Sequence, residues 1–261
     1  MVNRTITLLT DFGDRDVYVG VMKGVIARIA PKSSTIDLTH QIPPQNLLAA
    51  RFALANAVAY FPPDTVHIAV VDPGVGSSRK GIAIELTDCF IVCPDNGISS
   101  GILASNKAIA AIELTNSQYW RVPNPSNTFH GRDIFAPVGA HLANGVPLEK
   151  LGREIDLDRL IKLDLPAVEI NEGQITGCIQ YVDRFGNLIT NIPGDLITAS
   201  WRFEIDNVAI ASGKTYSDVP IGRAITIIGS HGWVEIAVNG GSAESELNLT
   251  WQDKIQITVD V

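Results

Sequence analysis

Apolar residues occur along this chain in two kinds of run. In the first half several runs are unbroken: "TITLLT" (5–10), "TVHIAVV" (65–71), "GIAIEL" (81–86), "FIVC" (90–93) and "AIAAIEL" (108–114). A short run that is apolar throughout reads as a strand covered on both faces. "TIDL" (35–38) adds a shorter strand. Between them the spacing changes. Met22, Val25, Ile26 and Ile29 recur at helical intervals until Pro31 stops them. Residues 46–59 are apolar nearly all round, as in a buried helix, and a further helix is expected over about 133–144. Strands alternating with helices predict an α/β N-terminal domain, a mostly parallel sheet with helices on both faces.

The pattern changes beyond that last helix. "LDLPAVEINEG" (163–173) carries a proline and turn residues and reads as a connection. From 174 onward β-type runs dominate: "QITGCIQYV", "NLITNI", "WRFEIDNVAI", "AITIIG", "WVEIAV" and "KIQITVDV". Short, turn-separated runs predict a smaller all-β, barrel-like C-terminal domain. The boundary is expected near residue 165, giving an α/β domain over 1–165 and a β domain over 166–261.

Composition narrows the function. Of 261 residues 46 % are hydrophobic and 18 % charged, enough apolar matter for a large core. The net charge of −8 and the lack of a basic stripe argue against a nucleic-acid partner. The N-terminal apolar run Ile6–Leu9 is too short for a signal-peptide core, and no run is long enough for a membrane helix. Cys89, Cys93 and Cys178 read as buried thiols rather than a metal pair or disulfide. A soluble, cytoplasmic protein is expected.

Three polar loops, "DFGDRD", "DPGVGSSRK" and "PDNG", each follow directly on an apolar strand. If those strands are parallel, Asp11, Asp72, Arg79, Asp95 and Asn96 gather at the carboxyl edge of the sheet, where α/β ligands bind. Each loop alone is ordinary turn chemistry; three on successive strand ends, with "TFHGRDIFAP" (128–137), read as a site. There Asp133 suits a helix entrance, while His130 beside Phe129 is sheltered enough to hold a polar group. His40, His67, His141 and His231 read as structural. Asp11, Asp14, Asp16, Asp72, Asp95 and His130 could supply a metal, but no metal-ligand spacing such as His-x-His or Glu-x-x-His is present, so no metal and no cofactor are expected. No phosphate-cradling glycine loop appears either. A nucleoside without phosphates stays open as a ligand, since ribose hydroxyls need only a carboxylate such as Asp11. In the β domain, "DRFGN" offers Phe185, Asp183 and Asn187, a ring, an acceptor and an amide suited to a flat base or an amino-acid head. In "GSHGWVEIAVNGGSA" (229–243), Ser230 and Glu235 flank a turn and strand, and "NGG" exposes backbone groups.

Taken together, "TDFG", "DPGVG", "PDNG", "FHGRDIFAP", "DRFGNLITNI" and "GSHGWVEIAVNGGSA" resemble the S-adenosyl-L-methionine hydroxide adenosyltransferase family, relatives of the 5′-fluoro- and 5′-chloro-adenosine synthases. The resemblance spans nearly the whole chain. It implies the two domains above and a homotrimer with ligand sites between neighbouring subunits. It also implies hydrolysis of S-adenosyl-L-methionine to adenosine and methionine, with the (R)-sulfonium epimer as a candidate substrate. On its motifs, Asp11 is the ribose ligand, and Asp72, Arg79 and His130 are the triad that activates water. Asp183, Phe185, Asn187 and Ser230 contact methionine and adenine, as does the stretch holding Glu235, Val238, Asn239 and Gly240.

The residue types suit that chemistry. A sulfonium makes C5′ electrophilic and leaves as a neutral thioether, so the need is an aligned nucleophile rather than a general acid. A fixed carboxylate at Asp72 would repel a halide, and Gly131 stands where the halogenating relatives carry a small hydroxyl residue; both favour water. A halide-dependent adenosyl transferase, a non-catalytic S-adenosylmethionine or nucleoside sensor, and a metal hydrolase are the alternatives.

Overall fold

The computed structural model describes residues 3–171, 173–197, 201–205 and 208–259. The chain divides into two compact units, Met1–Leu163 and Asp164–Val261.

In the first unit, strands β1 (Ile6–Thr10), β2 (Thr35–Thr39), β3 (Thr65–Val70), β4 (Gly81–Leu86), β5 (Cys89–Pro94), β6 (Ala108–Glu113) and β7 (Arg153–Glu154) form one sheet in the order β2-β1-β3-β5-β4-β6-β7. The pairs β1/β2, β1/β3 and β3/β5 are parallel, whereas β4/β5, β4/β6 and β6/β7 are antiparallel. The sheet is mixed, a correction to the mostly parallel sheet expected. Its cause is short: only Thr87 and Asp88 separate β4 from β5. Two residues close a hairpin, but a parallel crossover needs a dozen or so.

Helices α1 (Tyr18–Ile29), α2 (Leu47–Val58), α3 (Ser100–Leu103) and α4 (Ala136–Ala143) accompany this sheet. The helical spacing in α1 buries Met22 and Ile26, with Val25 and Ile29 partly covered, against Ile6, Leu8, Val66 and Ile68 of the strands. Asn46 starts α2 by accepting a hydrogen bond from the Ala49 amide (3.0 Å). What positions the site is the parallel half of the sheet. Thr10 ends β1 directly beside Val70 at the end of β3, and β5 runs parallel on the far side of β3. The loops after all three strands therefore open on one edge.

The second unit is antiparallel: β8 (Glu169–Asn171), β9 (Gln174–Val182), β10 (Leu188–Pro193), β11 (Trp201–Ile205), β12 (Val208–Ala211), β13 (Ala224–Ile228), β14 (Trp233–Val238) and β15 (Lys254–Val259). The order is β12-β11-β15-β9-β10-β14-β13, with β8 on β9. A bridge between Ser212 and Thr226 ties the end of β12 to β13, so the sheet nearly closes into a barrel. Alternation fills it: Ile255 and Ile257 of β15 point inward with Leu188, Ile192, Val234 and Ile236. Within "WRFEIDNVAI" and "KIQITVDV", residues 206, 207, 260 and 261 lie outside the described residues. A short helix that the sequence pattern did not foretell, α5 (Ala243–Leu247), follows β14 and is capped by Ser242. No helix among the described residues is long and apolar enough to cross a membrane.

His67 on β3 is fully buried, with Nδ1 2.7 Å from the Thr7 hydroxyl of β1. Burial pushes its pKa from 6.5 down to about 4, and burial lowers His130 and His141 in the same direction. The unfolded chain then binds more protons than the folded one between these values, so stability falls as the pH drops from 6.5 toward about 4. Urea unfolding midpoints should be lower at about pH 5 than at about pH 7, and the difference should shrink in His67→Gln.

Candidate active site

The first unit gathers its polar loops around one arginine. Arg79 donates from Nε to Asp72 Oδ1 (2.8 Å), and from a terminal nitrogen to Asp72 Oδ2 and to His130 Nδ1 (2.8 Å). Its side chain is 10 % exposed and that of Asp72 5 %. The guanidinium also lies over the ring of Phe135, 5.2 Å from the centroid, and Phe135 is fully buried. A guanidinium has no acceptor, so His130 Nδ1 must receive its hydrogen bond; the neutral imidazole therefore carries its proton on Nε2. Burial, and then the adjacent Arg79 charge, lower the His130 pKa.

Two backbone features bring these groups together. Gly76, in the loop after β3, has φ +78°, and a Cβ there would sit 2.3 Å from the Asn127 carbonyl oxygen. Only glycine lets the loop bearing Asp72 and Arg79 lie against the segment that leads to His130. From His130 the chain enters a π-helical turn, Gly131–Phe135, in which the Ala136 amide reaches back five residues to Gly131 O. Such wide turns are rare and concentrate at functional sites. The turn is pinned by Asp133, fully buried, which accepts from Arg121 Nε (2.5 Å), Arg132 Nε (2.7 Å) and the Ser126 amide (2.9 Å). Burial alone would raise its pKa, but those hydrogen bonds outweigh burial and hold the carboxyl well below the usual range.

A cavity of about 400 Å³ opens beside the triad, with Asp11, Phe12, Tyr18, Gln45, Asp72 and His130 in its walls. That volume suits a small-molecule ligand. Arg79 is not a wall residue; it stands behind Asp72 and His130. Asp11 Oδ2 accepts from the Gln45 amide (2.8 Å), and Gln45 holds the uncommon positive φ of 64°. Phe12, Tyr18 and Phe129 pack edge to face with centroids 5.2–5.9 Å apart, an apolar side to the cavity. Asp95 and Asn96 of "PDNG" do other work. Asp95 accepts from the Ile161 amide (2.9 Å), and Asn96 braces the β3 loop through Val71 O (2.9 Å).

The second unit carries its own concavity of about 540 Å³, walled by Phe185, Asn187, Tyr216, Val238, Asn239 and Gly240. Phe185 is 76 % exposed at the tip of the β9–β10 turn. Asp183 holds that turn: Oδ1 accepts from the Phe185 and Asn187 amides (2.8 and 2.9 Å), and Oδ2 from Asn187 Nδ2 (3.0 Å). Glu235 is buried and accepts from the Tyr216 hydroxyl (2.8 Å), with His231 Nε2 3.1 Å away. Ser230 is exposed in the turn before β14. Asp183, Ser230 and Glu235 are not wall residues of this concavity. Among the described residues, no group of three or more His, Cys, Asp or Glu side chains is placed to hold a metal ion.

Comparison with known proteins agrees with this architecture. Residues 6–152 match the model of the SAM hydroxide adenosyltransferase N-terminal domain, and residues 177–256 that of the C-terminal domain. The chain belongs to the SAM hydroxide adenosyltransferase family. It is 39 % identical to an (R)-S-adenosyl-L-methionine hydrolase of Salinispora tropica over 97 % of both chains. A fluorinase of Actinopolyspora mzabensis is more distant, 23 % identical over 97 % of this chain and 96 % of its own. An uncharacterized conserved protein of Thermotoga maritima, solved as a crystal structure, superposes with a TM-score of 0.91 at 38 % identity, covering 97 % of this chain and all of that one.

For this SAM hydroxide adenosyltransferase family member, several wall residues had no sequence signal of their own as site residues, among them Phe12, Tyr18, Gln45 and Tyr216. Phe12 stands inside a quoted motif yet reads as a core residue, and Tyr18 as part of α1. Gln45 matters through a backbone angle. Tyr216, in a 3-10 turn before β13, meets Glu235 of β14 only because the chain folds back over the 19 residues between them.

The imidazole makes the sharpest check. In an NMR titration His130 should titrate below 6.5 as the Nε2–H tautomer. Arg79→Met should raise that pKa by removing the neighbouring cation and leaving Asp72 in place. Gly76→Ala should lower unfolding free energy by about 1–3 kcal/mol in urea titrations, from the strained φ and the clash with a backbone oxygen.

Proposed function

We propose that this protein hydrolyses S-adenosyl-L-methionine, the (R)-sulfonium epimer in preference, to adenosine and L-methionine by in-line attack of water on C5′. The observation that carries this reading is the carboxylate of Asp72 and the imidazole of His130 in one cavity wall, bridged from behind by Arg79. The 39 % identity to an enzyme named as an (R)-S-adenosyl-L-methionine hydrolase supports the substrate.

The hydrogen-bond directions favour particular roles. His130 Nδ1 is occupied by Arg79, so the imidazole has Nε2–H to offer a water oxygen. Asp72 is then the acceptor for the water proton, and Arg79 supplies positive charge where hydroxide develops. The proton passes to Asp72 and on to solvent, while methionine departs as a neutral thioether. Holding water behind C5′ is worth about 7–11 kcal/mol when alignment is good. Asp11, one oxygen fixed by Gln45, takes the ribose hydroxyls with the other. Phe185, Asn187, Val238, Asn239 and Gly240 take the adenine and methionine parts, together with Ser230. The bonds already made by Asp183 and Glu235 favour an orienting part for these two.

A homotrimer, with ligand sites completed by neighbouring copies, and a cytoplasmic setting belong to the same reading; Cys89 and Cys93, buried free thiols, support the latter. Helical cover on both faces of the first sheet is supported by α1 and α4 sharing a core from which α2 is absent.

Purified protein incubated with each sulfonium epimer in ¹⁸O-water should release methionine and adenosine in equal amounts, with the label in the 5′-hydroxyl, and no 5′-halo-adenosine when chloride or fluoride is added. Unlabelled adenosine, or a halogenated product, would refute the mechanism. Asp72→Asn and His130→Ala should lower kcat by about 10²–10⁴-fold while adenosine affinity, read by calorimetry, changes little. Light scattering should give a trimer.

A further inference from the structure

Strand β2 ends on Thr39, and the next residue, His40, is buried outside the cavity wall. The parallel pairing of β1 with β2 is regular as far as Leu8 opposite Asp37, then shifts so that Leu9 lies opposite Thr39. One residue is skipped. Such irregularities re-aim side chains beside sites. Here the shift carries His40 to the end of β1, where its Nδ1 lies 2.9 Å from the Thr10 hydroxyl. Thr10 is fully buried and also accepts from the Phe12 amide (3.2 Å). On its other side His40 Nε2 is 3.1 Å from Asp37 Oδ1, and Lys23 donates to Asp37 Oδ2 (2.5 Å).

Two donors stand at the ends of this chain. Lys23 is only a donor, and the Phe12 amide is only a donor. The Thr10 hydroxyl accepts from Phe12 and shares one proton with His40 Nδ1, while His40 Nε2 lies 3.1 Å from Asp37 Oδ1 without hydrogen-bond geometry. The His40 carbonyl adds a second grip by accepting from the Gly13 amide (2.7 Å), and Gln41 adds a third by donating to Asp14 (2.6 Å). Residues 39–41 thus hold the chain at Thr10, Gly13 and Asp14. Between those holds lie Asp11 and Phe12, both walls of the cavity.

We infer that His40 is a positioning residue that keeps the Asp11–Phe12 loop in its ligand-binding geometry through Thr10 and Gly13. The part of this inference that concerns ligand affinity rests on the proposed S-adenosylmethionine site; the part that concerns the loop does not.

The test compares His40→Leu, Thr10→Val and His40→Asn with the wild type. Asparagine places an acceptor near the position of Nδ1 and so keeps the Thr10 bond. Amide exchange at Phe12 and Gly13 should quicken about five- to ten-fold in the first two variants, as expected for the loss of one neutral hydrogen bond, while Leu8 and Leu9 exchange as in the wild type. KM for S-adenosylmethionine and Kd for adenosine should rise by a similar factor with kcat within about two-fold, and His40→Asn should recover most of both effects. Exchange unchanged at Phe12 and Gly13 overturns the proposal whatever the activity. A loosened loop with KM and Kd unaltered overturns it as well. A wild type that neither binds adenosine nor turns over S-adenosylmethionine sinks the functional reading instead, and the exchange result then decides the role of His40 alone.

Discussion

The site depends on one buried guanidinium. Arg79 has five donors and no acceptor, and it spends them on the carboxylate of Asp72 and the imidazole of His130. Without it, a buried carboxylate and a half-buried imidazole would share a cavity edge with nothing fixing their directions. With it, the carboxylate is pre-oriented, the imidazole is confined to one tautomer, and a positive charge sits behind the place where a nucleophile would stand. Phe135 beneath the guanidinium completes the mount. Lysine at the same position, a point charge on a flexible stem, could not bridge both groups with fixed geometry.

The mount constrains the chain on either side. The loop after β3 must lie backbone to backbone against residues leading to His130, which Gly76 permits and a side chain would block. The helix that follows must begin with a widened turn, and Asp133 secures it at the cost of burying a charge, offset by Arg121, Arg132 and the Ser126 amide. The same division of labour recurs at the first loop. Asp11 lines the cavity, while Thr10 is buried against His40 and Gly13 is tied to the His40 carbonyl.

The second unit shows the limits of reading function from residue type. Phe185, Asn187, Val238, Asn239 and Gly240 do wall one concavity. Asp183 and Glu235 carry the more conspicuous chemistry in the sequence, yet in this unit each carboxylate is already bonded, one within its own turn and one to Tyr216. A carboxylate in a turn motif looks the same in sequence whether it holds the turn or holds a ligand.

Much was legible from the chain alone. Unbroken apolar runs mark β1, β3, β4 and β5, because a strand buried on both faces has few polar positions to show; β6 carries a similar run although Ile109 is exposed. Polar loops that start where such runs stop mark the edge where Asp11, Asp72 and His130 are found, since charged groups cannot continue into a buried sheet. Strand direction was not legible in general: β4 is antiparallel because two residues join it to β5, a constraint of chain length rather than of hydrophobic pattern. Nor could the chain alone announce the tautomer of His130, the bond between Tyr216 and Glu235, or the grip of His40 on Thr10. Those depend on distances between atoms 19 to 51 residues apart. Hydrophobic periodicity is a local property, repeated every few residues, so the sequence carries it openly; a hydrogen bond between distant side chains exists only once the packed backbone has fixed both ends.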